Sequence, residues 1–458
     1  MSETMDIEIA APRPLKTAGT SFAHLDDLFN SAALCRWLKD GTTTYVGVSP
    51  VASRFEMSAE SLAFMIECLE GQGAAMVYAD YVAVRGTTKT LHQLNDAERH
   101  VCRDTFDFGP LLVMRRADAL RALEGVECRR SAVYALTLGL QRIGALYHTG
   151  VPIGTVEDED GRDSGVKQFD YLRPDDAETQ RERERIFTDH LRAIGAAVSP
   201  DKRIDAKPRS EFERRASVII PVRNRVRTIA DAIGSALEQR TSFDFNVMVV
   251  DNHSDDGTTQ LLTKLAAADE RIVHIVPRQT TLGIGGCWNE AAASPACGKY
   301  AVQLDSDDLY AHPGALQTIV DKFSERPYAL VVGSYRLVNF ALEEIPPGVV
   351  DHREWTDANG ANNILRINGM GAPRAFATDW LRKHPMPNVS YGEDYAAVLA
   401  ATRRYHVGRI FDVLYLCRRW DGNSDAGLPI EAQAAHDAYK DKLRSDEIEA
   451  RIAMNKKR

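Results

Sequence analysis

The sequence predicts an α/β protein, a nucleotide-binding mixed sheet with helices on both faces, preceded by a shorter α/β module. Two observations predict it. From Ser217 to Asp308, short apolar runs alternate with stretches of helical period, and acidic groups stand directly after two of those runs. The pattern that begins at Tyr45 also returns at Tyr300, which reads as a repeated order of elements.

Composition sets the outer bounds. The chain has 458 residues, 44% hydrophobic and 26% charged, enough for two or three domains with full cores. A formal net charge of -9 and a pI of about 5.8 argue against a general nucleic-acid binder, yet leave room for an anionic ligand held by a local metal. Seven cysteines without CxxC pairing read as reduced thiols. No apolar run is long enough for a membrane-spanning helix, and Met1 to Pro12 is acidic without a signal pattern. A cytoplasmic protein with no transmembrane segment is expected.

Residues 1–20 lack periodicity and are expected to be a flexible tail. Residues 21–195 form the shorter module, opening with a helical pattern from Leu25 to Leu38. Tyr45 to Ser53 matches Tyr300 to Asp308, helix Ala59 to Leu69 matches Gly314 to Phe323, and strand Ala75 to Tyr78 matches Leu330 to Gly333. Gly109 to Leu120 aligns with Gly369 to Trp380, and Ser131 to Leu136 with Gly392 to Ala397. Asp305, Asp307 and Asp308 then face Pro50, Ala52 and Ser53, while Glu393 and Asp394 face Ala132 and Val133. A module without those carboxylates cannot run the same metal-assisted chemistry, so it reads as a scaffold, a dimerisation surface for a homodimer, or an acceptor-binding module. The helix from Glu178 to Ile194 alternates charges as a solvated face does, and residues 196–215 read as a linker.

The second module spans 216–425. Ser217 to Ile220 is a buried strand ended by Pro221, and Asn224 starts a turn into a helix with Ile229, Ala232, Ile233 and Ala236 on one face. Phe245 to Val250 is a second strand, and Asp251 directly after it lies at the carboxyl edge, where open α/β sheets bind ligands. Gly257 and Thr258 lead into a helix, Ile272 to Val276 is a third strand, and a helix near Gly285 carries Cys287, Trp288 and Asn289. Tyr300 to Leu304 is the fourth strand, followed by Asp305-Ser306-Asp307-Asp308. Glu343 to Arg366 is expected to be a loop, on account of Pro346-Pro347 and an Asn-rich cluster. Glu393 and Asp394 open a helix, and two short edge segments, Val407 to Ile410 and Asp412 to Leu416, precede Arg418-Arg419-Trp420. Residues 426–458 read as a C-terminal helix for packing or dimer contact.

Carboxylates one residue apart at a strand end suit a divalent cation, and hard oxygen donors favour Mn2+ or Mg2+. Asp307 is read as the metal ligand. A carboxylate in the first turn of a helix stays ionised, as at Glu393-Asp394. The bland reading of all these acids is helix capping and Asx turns.

The run from Ser217 to Asp308 resembles the donor half of a family 2 glycosyltransferase with the GT-A fold. Pro221, Asn224, Asp251, Gly257-Thr258 and Asp305-Ser306-Asp307-Asp308 stand in the family's order and spacing. The resemblance implies metal-dependent, inverting transfer of a sugar from a nucleoside diphosphate donor, foremost a UDP-sugar, to a hydroxyl of a glycan or glycoconjugate. It implies that Asp251 meets the donor's base, that Pro221 and Asn224 shape the first loop with Arg223 toward phosphate, and that Asn289 lies near the donor. It further implies Asp305 on the ribose or supporting the metal, Asp308 on the sugar side, and Asp394 as base beside Glu393. Two departures stand out. Trp288 replaces a usual arginine, and Arg418, Arg419, Trp420, Asp421 and Asn423 stand where members place a histidine, so Arg418 or Arg419 is expected to meet phosphate instead. Two rival readings are a non-catalytic nucleotide-sugar or carbohydrate-binding protein and a nucleotidyltransferase. The latter is disfavoured because Pro221 to Asn224 contains no glycine.

Overall fold

The computed structural model describes residues 6–12, 21–25, 27–51, 53–157, 177–367, 369–423 and 429–457. The chain divides into two compact units, one of Met1–Ala197, Leu365–Asn368 and Ile430–Arg458, the other of Val198–Ile364 and Gly369–Pro429.

The first unit contains β1 (Ile7–Ala11), β2 (Ser21–His24), α1 (Ser31–Asp40), β3 (Tyr45–Val48), β4 (Phe55–Met57), α2 (Ala59–Gly71), β5 (Met76–Tyr78), β6 (Tyr81–Arg85) and β7 (Thr88–His92). It continues with β8 (Leu112–Arg115), α3 (Arg116–Ala122), α4 (Ala132–Leu140), β9 (Leu146–His148), β10 (Gly154–Glu157) and α5 (Ala177–Ala193). Among the described residues, one sheet runs β2-β1-β3-β8-β5-β9 and a second β4-β10-β6-β7. The expected tail is corrected at 7–11: Ile7 and Ile9 of β1 are buried beside Val77 and Val113 in an inner strand, while 1–5 and 13–20 lie outside the described residues. Ile7, Ile9 and Ala11 share the core face of this strand, and Glu8 on the other face pairs with Arg116 at 2.9 Å.

The second unit contains β11 (Ala216–Val222), α6 (Ile229–Leu237), β12 (Phe245–Asp251), α7 (Thr258–Ala268), β13 (Ile272–Ile275), α8 (Ile284–Ala293), β14 (Tyr300–Gln303), β15 (Leu309–Tyr310), α9 (Ala315–Glu325) and β16 (Leu330–Asn339). After these come β17 (Glu344–Val350), α10 (Gly360–Asn363), β18 (Arg374–Ala377), α11 (Thr378–Lys383), α12 (Glu393–Arg404) and β19 (Val407–Arg419). The sheet runs β13-β12-β11-β14-β18-β16-β19-β15, with β17 on β16. The first four are parallel and β18 turns antiparallel, so the α/β class expected from the sequence is the one found. Pro221 is tolerated because β14 pairs only Ala216 to Ile219, so the missing N–H falls beyond that ladder. Inside the sheet, Ser217 accepts from Gly298 N–H and bonds Asn246, whose amide donates to Ala296, which satisfies a buried polar trio.

Three expectations change in this unit. Glu343 to Arg366 is not all loop, since β17 pairs antiparallel with β16 and keeps Pro346 and Pro347 on an outer strand where proline is allowed. The two short edge segments are one strand, β19, held between β16 and β15 across a register shift. The expected linker is strapped down from Val198 onward: Val198 N–H donates to Asn362, Ile204 bridges Tyr405, and Asp379 accepts from Arg209 and Ser210. The last helix, α13 (Ile430–Lys456), belongs to the first unit, where Asp441 bonds Arg103 and Arg444.

The element order does recur. β1 and β3 are parallel, β3 and β8 antiparallel, β8 and β5 antiparallel, β5 and β9 parallel. β11, β14, β18, β16 and β19 follow the same sequence of directions. Register shifts the correspondence, however. Tyr45 pairs Arg115 and Tyr300 pairs Ala377, so Arg115 corresponds to Ala377 and not, as spacing suggested, to Ala375. A two-residue slip keeps the same face of the strand, which is why sequence pattern could not detect it.

Candidate active site

The site lies at the carboxyl edge of the second unit's parallel strands, where the loops after β11, β12 and β14 meet the start of α12 and the end of β19. Asp305 is placed by the end of β14: Gln303 Nε2 donates to both its oxygens at 3.1 Å, and its own N–H donates to Tyr415 Oη at 2.9 Å. Burial, with the charge of Asp307 added, outweighs those bonds and raises its pKa. Asp308 accepts from Arg418 N–H at 2.8 Å, and burial beside Asp305 and Asp307 pushes its pKa well above the usual range. Asp307 is the more open member. Its Oδ2 accepts from Trp420 Nε1 at 3.1 Å and Asn423 Nδ2 at 3.2 Å, with Arg225 Nε 3.9 Å away.

Arg418 reaches the same edge. Its Nε donates to the Asp307 carbonyl, its Nη1 meets Asp231 at 3.0 Å, and its guanidinium lies over Phe340. Arg227 stacks on Trp420 at 5.1 Å and on Phe340 at 5.8 Å, so cations and aromatics together rim the carboxylates.

Across the edge, Gly392 in the left-handed region (φ 79°) turns the chain into α12. Glu393 is buried, its Oε2 has no hydrogen-bond partner among the described residues, and burial with the neighbouring Asp394 charge pushes its pKa up to about 8. Asp394, a third exposed, pairs with Arg374 Nη2 at 2.6 Å. Burial alone would lower the Arg374 pKa, but Asp394, Asp305 and Glu393 outweigh it and raise it. The edge therefore gathers carboxyls that burial and mutual repulsion make costly to ionise together. Oxygen-only donors of this kind suit a hard divalent cation. Among the described residues no three His, Cys, Asp or Glu side chains make a ready metal cage, so the protein would furnish only part of a coordination sphere.

Residues 217–374 match the family model described as Glycosyl transferase family 2. This segment is a family 2 glycosyl transferase domain. The chain is similar to an uncharacterized glycosyltransferase of Rickettsia conorii, 36% identical over 201 residues, covering 43% of this chain and 32% of that protein. It is also similar to the chondroitin synthase of Pasteurella multocida, 36% identical over 171 residues, covering 32% of this chain and 17% of the synthase. The chain spans between 32% and 48% of the length of the first curated relatives it matches. Among solved structures, S. aureus TarS 1-349 in complex with UDP-GlcNAc aligns at 20% identity and TM-score 0.38, covering 51% of this chain and 71% of that one. The Pyrobaculum calidifontis mannosyltransferase in complex with GDP-Man and Mn2+ aligns at 16% identity and TM-score 0.34, covering 61% and 84%.

In the second unit, Asp305, Asp307, Asp308 and Arg418 come together as anticipated, with Asp394 joined to them through Arg374 and Gln303 and Glu393 beside it. Several other anticipated residues are hydrogen-bonded or packed within the second unit. Asp251 is fully buried: Ser254 N–H, Thr259 and His274 all reach its carboxylate, and these bonds outweigh burial and hold its pKa low. Asn224 adopts φ 55° and accepts from Asp255 N–H, tying the first loop to the second. Arg223 is exposed in that loop. Asn289 gives both ends of its amide to the Met386 backbone, and Trp288 packs buried against Phe376, so neither replaces the family's arginine. Arg419 follows Arg418 in β19 and so takes the opposite face of the strand. Sequence reasoning missed Gln303 and Arg374. Gln303 was within reach of it, being two residues before Asp305 on one face of a strand; Arg374 left no local signal.

Proposed function

We propose that the chain is a metal-dependent, inverting glycosyltransferase that moves a sugar from a nucleoside diphosphate donor, a UDP-sugar first among candidates, to a hydroxyl of a glycan or glycoconjugate. The observation that carries this reading is one sheet edge holding Asp305, Asp307 and Asp308 opposite Glu393 and Asp394. Asp394 takes the acceptor hydroxyl's proton, the oxygen attacks the anomeric carbon, and the bond to the diphosphate oxygen breaks in the same displacement. Glu393, kept protonated at neutral pH by burial, leaves Asp394 as the ionised member of the pair. Arg418, with Arg225 and Arg227 near the rim, faces the donor phosphates. Asp307, supported by Asp305, would hold Mg2+ or Mn2+, which supplies neutralisation of the charge gathering on the leaving diphosphate. Trp420 and Asn423 must then release Asp307 Oδ2.

The first unit we read as a non-transferring copy serving as scaffold or acceptor-binding module, because Pro50 and Ser53 stand where Asp305 and Asp308 would be. Among the described residues no helix is long and apolar enough to cross a membrane, and the seven cysteines are free, which supports a cytoplasmic setting. The test is nucleotide release from UDP-, GDP- and dTDP-sugars with Mn2+ or Mg2+ and with chelator. Release from one donor that chelation and Asp307→Asn both abolish is expected. Undiminished release in chelator would remove the metal from the mechanism, and donor binding without release under any acceptor would favour a carbohydrate-binding protein.

A further inference from the structure

We propose that Gln303 and Arg374 are the positioning pair of the transfer site, a cross-strand brace that fixes the carboxylate of Asp394 relative to that of Asp305. The inference rests on the transferase reading above. Val302 lies opposite Ala375 in the antiparallel pairing of β14 and β18, so Gln303 and Arg374 are the next pair outward, at the edge that carries the site. Arg374 divides its fork: Nη1 donates to Gln303 Oε1 at 2.9 Å and Nη2 meets Asp394 Oδ2 at 2.6 Å. Gln303 Nε2 then donates to both oxygens of Asp305 at 3.1 Å. An amide suits the middle place because it accepts on one side and donates on the other, and a guanidinium suits the outer one because its donors diverge from a rigid plane.

The chain contains its own comparison. In the first unit the pair at the same register is Val48 opposite Leu112, both fully buried, and the counterpart of Asp394 is Val133. The sheet therefore accepts an apolar pair at this place without loss of its order. Polar partners stand only where there are two carboxylates to hold apart and in register, which assigns Gln303 and Arg374 to the reaction rather than to the fold.

The experiment compares the full chain with Arg374→Lys, Gln303→Val, Arg374→Leu and the double variant Gln303→Val/Arg374→Leu, which copies the first unit's pair. Thermal unfolding is measured for each, followed by kcat and donor KM on whichever UDP-, GDP- or dTDP-sugar the unaltered chain turns over with Mn2+. The double variant should fold, keep its donor KM within about threefold, and lose at least 100-fold in kcat. It should cost no more than Arg374→Leu alone, since both belong to one brace. Arg374→Lys should recover under a tenth of the lost rate, a single ammonium being unable to hold both partners. If the double variant does not fold, Arg374→Lys and Gln303→Val carry the same comparison. A kcat within threefold of the unaltered chain, full recovery by lysine, or a loss confined to KM overturns the brace. An unaltered chain that turns over none of the donors overturns the transferase reading and this inference with it.

Discussion

Asp394 and Glu393 are adjacent in sequence and opposite in environment. Asp394 is paired to a guanidinium and a third exposed, whereas Glu393 is buried with one oxygen that has no hydrogen-bond partner among the described residues. Asp394→Asn should keep donor affinity and lower transfer by about 10²–10⁴-fold, the usual worth of a general base; equal turnover by this variant would refute its role. Glu393 gives a stability prediction with a definite sign. Its pKa is raised in the folded chain to about 8 from an ordinary 4.5, so the folded state holds the proton more tightly. Its contribution is fully present below pH 4.5 and is lost as pH rises through 8. Glu393→Gln should therefore be more stable than the unaltered chain at pH 8–9, by up to a few kcal/mol, and equal to it near pH 4. Unfolding midpoints across that range decide it. Neither environment was legible in the sequence, where two first-turn acids look alike; burial is set by what α12 packs on.

Elements place these residues through close approaches that tolerate no extra atoms. At the start of α8, a Cβ on Gly285 would lie 2.0 Å from the Pro387 carbonyl and 2.9 Å from Glu393 Cβ, while Gly285 N–H donates to Val389. Gly285→Ala should cost about 1–3 kcal/mol and shift the segment ahead of α12, lowering transfer as well as stability. A crystal structure or melting curve indistinguishable from the parent would contradict it. In the first unit, His190 on α5 is buried beside Arg142, and burial first, then that charge, lowers its pKa to about 3. A histidine kept neutral in the fold takes up its proton only on unfolding, so this unit should lose stability as pH falls from 6.5 toward 3, on the order of a few kcal/mol. His190→Gln should flatten that dependence in a pH series of unfolding. By its alternating charges α5 reads as a solvated helix, but its apolar residues, Ile186, Phe187 and Leu191, are buried.

At the scale of the whole chain, the last helix belongs to the first unit. Asp441 of α13 is buried and holds Arg103 at 2.9 Å and Arg444 at 2.9 Å, and Glu447 holds Arg451. A chain ending at Pro429 would strip Arg103 of Asp441 and expose the side chains that α13 covers, Ile448 among them, so the first unit should lose stability. Hydrogen exchange should then show lost protection across β1, β3 and β8 while β11, β12 and β14 stay protected; uniform protection would show that α13 is dispensable. What the sequence by itself determined was the α/β class, the strand and helix order of the second unit, the recurrence of that order, and the acids at Asp305, Asp307, Asp308, Glu393 and Asp394. Those follow from local period, turn chemistry and residue type, which neighbouring positions along the chain express. Only the tertiary structure decided that 7–11 is an inner strand, that 198–215 and 430–456 are packed, that Asp251 and Asn289 are hydrogen-bonded within the second unit, and that Gln303 and Arg374 join the two carboxylate groups. Each of these depends on a partner distant in sequence, and strand register, which carries no local signature beyond which face a residue takes, chooses that partner.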